Sequence, residues 1–308
     1  MKKIKEVLCI RTHLLDKKTY MVNRLKSKII SMLRTYLDRK GFIELFPVVA
    51  SPITDPLSSP YDTIFFDVYG YKFQLTKSMI FHKQLSMLTF EKIYIFSPNF
   101  RIEPPEKVST SRHLVEFVQL DLEMRGASRE EIMDFIEEML LYLFERVQGE
   151  EELSFFGRKL PRLKRPFPRI TYSEAVEKYG DDFEYRLSEK ASQPVWVIDF
   201  PYQVREFYYR EDPRAGTMVD FDLLYPEGFG EAISGGEREW RPERLKRMLM
   251  KKGIDADFYD IYLSLIEEGV PPSAGFGIGI ERLTRFLSGL KEIKFTRLFP
   301  KLPGKFGI

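Results

Sequence analysis

Two stretches rich in aromatic and branched apolar residues, 93–101 and 113–124, are separated by a ten-residue polar segment, 103–112. Pro104 and Pro105 forbid a helix there, and the Ser and Thr residues around them favour turns. So short a connection leaves no room for a crossover helix, so the two strands must pair antiparallel as a long hairpin. That hairpin constrains the rest of the chain.

The other elements do not restore a one-for-one alternation of strand and helix. Met21, Leu25, Ile29, Met32, Leu33, Tyr36 and Leu37 recur at spacings of three and four, which predicts an amphipathic helix over 16–40, stopped by Gly41. A buried strand over 42–49, broken at Pro47, comes next, then two aromatic strands, 63–69 and 71–75, around Gly70 and a helix over 77–88. Ser128 and Glu131 form a capping box that opens a helix to 147. After a charged surface connection, 150–169, a short helix covers 171–178. Strands follow near 195–200, 218–224 and 231–234, helices over 242–252 and 257–268, a strand over 274–280 and a helix over 281–290. Hairpin-connected strands interrupted in this way predict an α+β domain with an antiparallel sheet and disfavour a doubly wound parallel one.

Composition narrows the function. Among 308 residues, 48 Lys and Arg oppose 46 Asp and Glu, and a net charge of +2 excludes a polycationic nucleic-acid coat. One cysteine, Cys9, and three scattered histidines exclude an internal disulfide and a structural zinc site, and they point to reducing cytoplasm. No apolar run is long enough to span a membrane.

Gly275, Gly277 and Gly279 alternate along a strand, but position 280 is Ile280, so the dinucleotide-binding G-x-G-x-x-G pattern fails. Bare backbone there lets a flat ligand come close, with Arg282 at the start of the next helix. The hairpin contributes Arg101, Glu103, Arg112, His113 and Phe117, and strand alternation puts Arg101 and Glu103 on one face.

These segments resemble the three motifs of class II aminoacyl-tRNA synthetases. Gly41-Phe42-Ile43-Glu44 through Pro47 is similar to the first motif, 100–124 to the second and 275–283 to the third. The Arg112-His113-Leu114-Val115-Glu116-Phe117 wording, Gln74-Leu75-Thr76-Lys77-Ser78 with Lys83, and Asp222 with Glu231 through Arg238 resemble the aspartyl and asparaginyl subgroup. The resemblance implies a largely antiparallel sheet flanked by helices and a homodimer through the first motif. It places Arg101 on the α-phosphate of ATP as a catalytic residue, together with Arg282. Adenine lies between Phe117 and Arg282, Glu103 accepts from its amino group, and Arg112 and His113 reach the γ-phosphate. Magnesium is assigned to Asp222, Glu231 and Ser234. The amino acid falls to Ser78, Lys83, Gln119, Asp121, Ser234 and Arg238, with Lys83 and Arg238 clamping a carboxylate and Gln119 and Asp121 taking the ammonium.

The chain departs from that subgroup at four points. Ile80 replaces a glutamine, the loop of the second motif is longer and carries Pro104-Pro105, the interval from Asp222 to Glu231 is longer, and the stretch ahead of the first motif is too short for an anticodon-binding barrel. We therefore expect residues 1–16 to be an extension and 17–308 the catalytic domain. The expected activity is that of an ammonia-dependent asparagine synthetase, converting aspartate and ATP through a β-aspartyl-adenylate to asparagine, AMP and pyrophosphate. Its partners would be aspartate, ATP and ammonia, with tRNA not expected. The alternatives are a truncated synthetase paralogue that acylates tRNA or protein, and a noncatalytic aspartate or nucleotide sensor. Glu116, Asp121 and Glu237 are candidates for deprotonating ammonium, none favoured.

Overall fold

The computed structural model describes residues 2–57 and 64–305. Asp16 separates two helices, α1 (Lys2–Leu15) and α2 (Lys17–Arg39), and its carboxylate caps the second by accepting from the Lys18 amide at 2.7 Å. The apolar stripe of α2 is buried from Met21 to Leu37, as its spacing predicts, whereas α1 was not expected. The strand expected over 42–49 shrinks to β1 (Ile43–Glu44). Pro47 cannot continue a ladder, and Phe46, 96 % exposed, turns its ring outward. A small antiparallel sheet follows in the order β2-β4-β3, made of β2 (Ala50–Ser51), β3 (Phe65–Val68) and β4 (Tyr71–Leu75); Thr63, in the expected strand, lies outside the described residues. Helix α3 (Ile80–Leu85) starts later than expected.

The hairpin forms as predicted. Strands β5 (Lys92–Phe100) and β6 (Glu116–Arg125) pair antiparallel from Lys92↔Met124 to Phe100↔Glu116. Its tip corrects the reading of the prolines, because Pro105–Thr110 is a 3-10 turn. Proline at the first helical position loses no hydrogen bond, so Pro105 starts the turn rather than forbidding it.

Helix α4 (Arg129–Val147) opens on the predicted capping box, with Glu131 donating its amide to Ser128 Oγ and the Glu131 carboxylate accepting from the Ser128 amide at 2.8 Å. Ser128→Ala is expected to cost about 1 kcal/mol, read as a lower denaturant midpoint at unchanged slope. The chain continues through α5 (Glu151–Phe155), β7 (Arg169–Thr171), α6 (Tyr172–Tyr179), α7 (Phe183–Lys190) and β8 (Val195–Ile198). Next are β9 (Glu211–Asp212), β10 (Thr217–Met218), β11 (Asp220–Tyr225), β12 (Gly230–Glu237), α8 (Pro242–Lys252), α9 (Asp260–Glu267), β13 (Ser273–Gly279) and α10 (Ile280–Ser288).

Eight strands make the main sheet in the order β1-β5-β6-β13-β12-β11-β8-β7, antiparallel throughout except at its edges, where β1 lies parallel to β5 and β7 to β8. Helices α2, α4 and α10 cover one face through Leu25, Leu140 and Phe286, packed on Leu122, Phe276 and Leu223 of the strands. A second core, with Phe81, Phe207, Leu245 and Tyr262, joins α3, α8 and α9. The expected α+β class is the observed one. Among the described residues no helix is long and apolar enough to cross a membrane.

Candidate active site

Alternation along β6 sends Leu120 and Leu122 into the core and Gln119, Asp121 and Glu123 to the opposite face. The glycines of β13 lie beside them in register, Gly275↔Glu123, Gly277↔Asp121 and Gly279↔Gln119. A Cβ on Gly275 would collide with the Glu123 carboxylate, and one on Gly277 with the Gln119 amide. Two of the three glycines therefore make room for polar side chains of the neighbouring strand rather than for a ligand.

Above this floor the cleft has two lobes, cavities of about 220 and 350 Å3. Arg101, Gln119, Glu231 and Gly277 line both lobes and form the boundary between them. Every residue assigned from the sequence to ATP, magnesium or the amino acid lines one lobe or the other. In the smaller lobe are Glu103, Arg112, His113, Phe117 and Arg282. The Arg101 guanidinium sits 5.0 Å from the Phe117 ring centroid, and its Nε donates to the Lys77 carbonyl at 3.1 Å. Burial, and then Arg282 and Arg112, push His113 down to about 3, so it faces the lobe as a neutral imidazole.

The larger lobe holds Ser78, Lys83, Asp121, Asp222, Ser234 and Arg238. Here both cations expected to clamp a carboxylate have carboxylate partners of their own. Lys83 Nζ donates to Asp121 Oδ1 at 3.0 Å and to the Phe276 carbonyl at 2.9 Å. Arg238 Nε donates to Glu123 Oε1 at 3.1 Å, and Ser273 Oγ donates to the same oxygen at 2.8 Å. Each cation already has a buried carboxylate partner, supplied by β6. Asp121 Oδ2 is buried without a hydrogen-bond partner among the described residues, an acceptor suited to an ammonium group. Gln119 Oε1 is occupied by Asn99 Nδ2 at 2.8 Å, so its amide offers donors rather than an acceptor.

On a regular strand Glu231 and Ser234, three positions apart, would face opposite ways. A bulge in the β11–β12 ladder, where Leu223↔Ile233 is followed by Leu224↔Glu231, returns Glu231 to the cleft, while Asp222 pairs directly with Ser234. Burial drives the Asp222 carboxyl upward; Arg205, 2.8 Å away, opposes that shift and the charge of Glu231 adds to it. For Glu231 the upward pull of burial is overcome by Arg282 and then Arg112, so it stays ionised. Asp222 is paired with Arg205 and Glu231 with Arg282 at 2.9 Å, and together with the Ser234 hydroxyl they are the hard oxygen donors that a magnesium ion takes when it also binds phosphates. Among the described residues no three His, Cys, Asp or Glu side chains converge, so a magnesium ion held here would take its remaining ligands from phosphate and water.

Sequence reasoning missed Arg205, which pairs with both Asp220 and Asp222, and Glu184, which reaches Arg112. It also missed Asp55, which accepts from Tyr208 Oη at 2.9 Å in the larger lobe. For Arg205 a signal existed in the aromatic run 207–209 beside it.

The family model for class II tRNA synthetases (D, K and N) matches residues 10–303. The chain belongs to that family. Among its class II relatives, the asparagine–tRNA ligase of Pyrococcus furiosus is 32% identical over 313 residues, 95% of this chain and 71% of that protein. The asparagine–tRNA ligase of Symbiobacterium thermophilum is 33% identical over 91% of this chain and 69% of its own length. The asparaginyl-tRNA synthetase of Pyrococcus horikoshii, solved with asparaginyl-adenylate, superposes with a TM-score of 0.87 at 29% identity, covering 96% of this chain and 72% of that one. The class II members of this group are ATP-dependent ligases.

These findings overturn two expectations. The relatives are named for ligation to tRNA, which contradicts both an ammonia-dependent asparagine synthetase and the exclusion of tRNA as a partner. Lys83 and Arg238 are paired with Asp121 and Glu123 in the larger lobe. Of the ammonium-base candidates, Glu116 is paired with Arg297 and Lys301, and Glu237 with Arg210, away from the cleft.

Proposed function

We propose that this chain activates asparagine as its adenylate and transfers the asparaginyl group to tRNA. The observation that carries this reading is the cleft of two lobes meeting at Arg101. Adenylation needs a nucleotide and an amino acid held end to end, with a cation where the α-phosphate meets the attacking carboxylate. The carboxylate oxygen forms a bond to the α-phosphorus, pyrophosphate leaves, and Arg101 stabilises the extra charge on the phosphoryl oxygens. The attacking group is already ionised, so no base is required. Phe117 and Arg282 sandwich adenine with Glu103 at its amino group, and Arg112 and His113 receive the terminal phosphates. Asp222, Glu231 and Ser234 would hold magnesium, which would neutralise charge on the polyphosphate. A ribose hydroxyl at the tRNA end then attacks the carbonyl carbon and AMP leaves.

Asp121 Oδ2 takes the substrate ammonium. Arg238 and Lys83 read the side chain, and because each is balanced by a buried carboxylate, a neutral carboxamide fits without adding an uncompensated charge. Residues 17–308 form the catalytic domain, with 1–16 an extension tied down by His13, whose ring bonds the Arg297 carbonyl at 3.0 Å and stacks on Phe295. The exposed Phe46, Ile43 and Val49 support pairing of two copies through the first motif.

Pyrophosphate exchange into ATP tests the first step. Asparagine is expected to drive exchange far more strongly than aspartate. Exchange driven by aspartate instead would overturn the amino-acid assignment, and exchange with neither would overturn adenylation.

A further inference from the structure

Helix α7 places one carboxylate at the cleft that no synthetase-like motif contributes. Phe183 and Leu187 anchor the helix in an apolar cluster with Val195 and Leu224. Ser188 Oγ donates to the Tyr225 carbonyl at 2.6 Å and accepts from the Gly230 amide at 2.8 Å, which fixes α7 to the strand ends that carry Asp222 and Glu231. Glu184 is thereby held at the boundary of the lobes. It lines the larger lobe, yet its carboxylate accepts from Arg112 Nη2, a residue of the smaller lobe, at 3.3 Å.

Arg112 is fitted to that position from its other side. A Cβ on Gly230, whose φ is +74°, would collide with the Arg112 guanidinium, so this glycine leaves the space in which the arginine lies. Glu184 also acts on the neighbouring arginine, contributing to the charge environment of Arg282 after Glu231. Arg112 and Glu184 are both part-exposed, with side chains 28 % and 36 % accessible, so the pair can open at small cost.

We propose that Glu184 is a positioning residue: a built-in counter-ion that parks Arg112 across the boundary of the two lobes and is displaced by the terminal phosphates of ATP. It sets how tightly the site holds polyphosphate, because ATP must compete with a carboxylate for the same guanidinium, and pyrophosphate leaves more readily when that carboxylate recaptures it. The inference rests on the adenylating reading of the cleft.

Calorimetric titration of ATP with magnesium into the whole protein tests it, comparing wild type, Glu184→Gln, Arg112→Met and the double variant. Glu184→Gln is expected to bind ATP roughly threefold more tightly, the scale of a part-exposed ion pair. The gain is expected to disappear in the Arg112→Met background, because the carboxylate acts through that arginine. Pyrophosphate titrated alone should show the same pattern. Unchanged or weaker ATP binding by Glu184→Gln, or a gain that persists without Arg112, overturns the counter-ion role while leaving the cleft assignment intact. Wild type that binds no ATP overturns the adenylating reading and this inference with it. A variant whose thermal unfolding falls with its ATP affinity contradicts the proposal by assigning Glu184 to structure.

Discussion

Arg101→Ala is expected to lower asparagine-dependent pyrophosphate exchange by roughly 10²–10³-fold, the effect of removing one preorganised group from a developing oxyanion. Arg101 borders both lobes, its guanidinium is backed by the Phe117 ring at 5.0 Å, and its Nε is fixed on the Lys77 carbonyl at 3.1 Å. The side chain is therefore aimed before substrates arrive. Arg101→Lys keeps the charge but loses the fork and the stacking, so it should recover only part of the rate. Thermal unfolding of both variants should stay close to wild type. Exchange that survives in Arg101→Ala would place the α-phosphate elsewhere, and an unfolded variant would assign Arg101 to the fold.

The largest stability loss is expected from Glu123→Ala. Glu123 is fully buried, accepts from Arg238 at 3.1 Å and from Ser273 Oγ at 2.8 Å, and lies 3.9 Å from Lys83. Its removal leaves the buried Arg238 guanidinium without its counter-charge, and breaking such a pair costs about 3–5 kcal/mol. Equilibrium denaturation would register the loss as a lower midpoint. Glu123→Gln keeps the shape and the Ser273 bond, so it should lose less. A Glu123→Ala midpoint within experimental error of wild type would contradict the network. The same pair explains why Gly275 carries no side chain, since a Cβ there meets the Glu123 carboxylate.

What could be read in advance depended on whether the deciding signal was local. Helix α8 has the predicted bounds because Pro242 opens it and Gly253, in the left-handed region, closes it. The capping box at Ser128 and the antiparallel hairpin were legible for the same reason. Side-chain pairing across strands was not. The Asp121 partner of Lys83 is set by the register of β6, where the glycines of β13 make the space. The bulge that turns Glu231 into the cleft depends on ladder pairing, which no spacing rule reveals. Glu184 and Arg205 lie in a stretch without strong periodicity, and only the closing of α7 and β11 against the cleft gives them partners.

The central claim is tested most directly by aminoacylation of tRNA. The protein would be incubated with ATP, magnesium, labelled asparagine and total cellular tRNA, and the label followed on acid gels that preserve the ester. The account predicts label on the tRNA 3′ end, lost on mild alkaline treatment and absent with Arg101→Ala. Robust pyrophosphate exchange with no labelled tRNA would contradict it, because the adenylate would then form without tRNA as its acceptor.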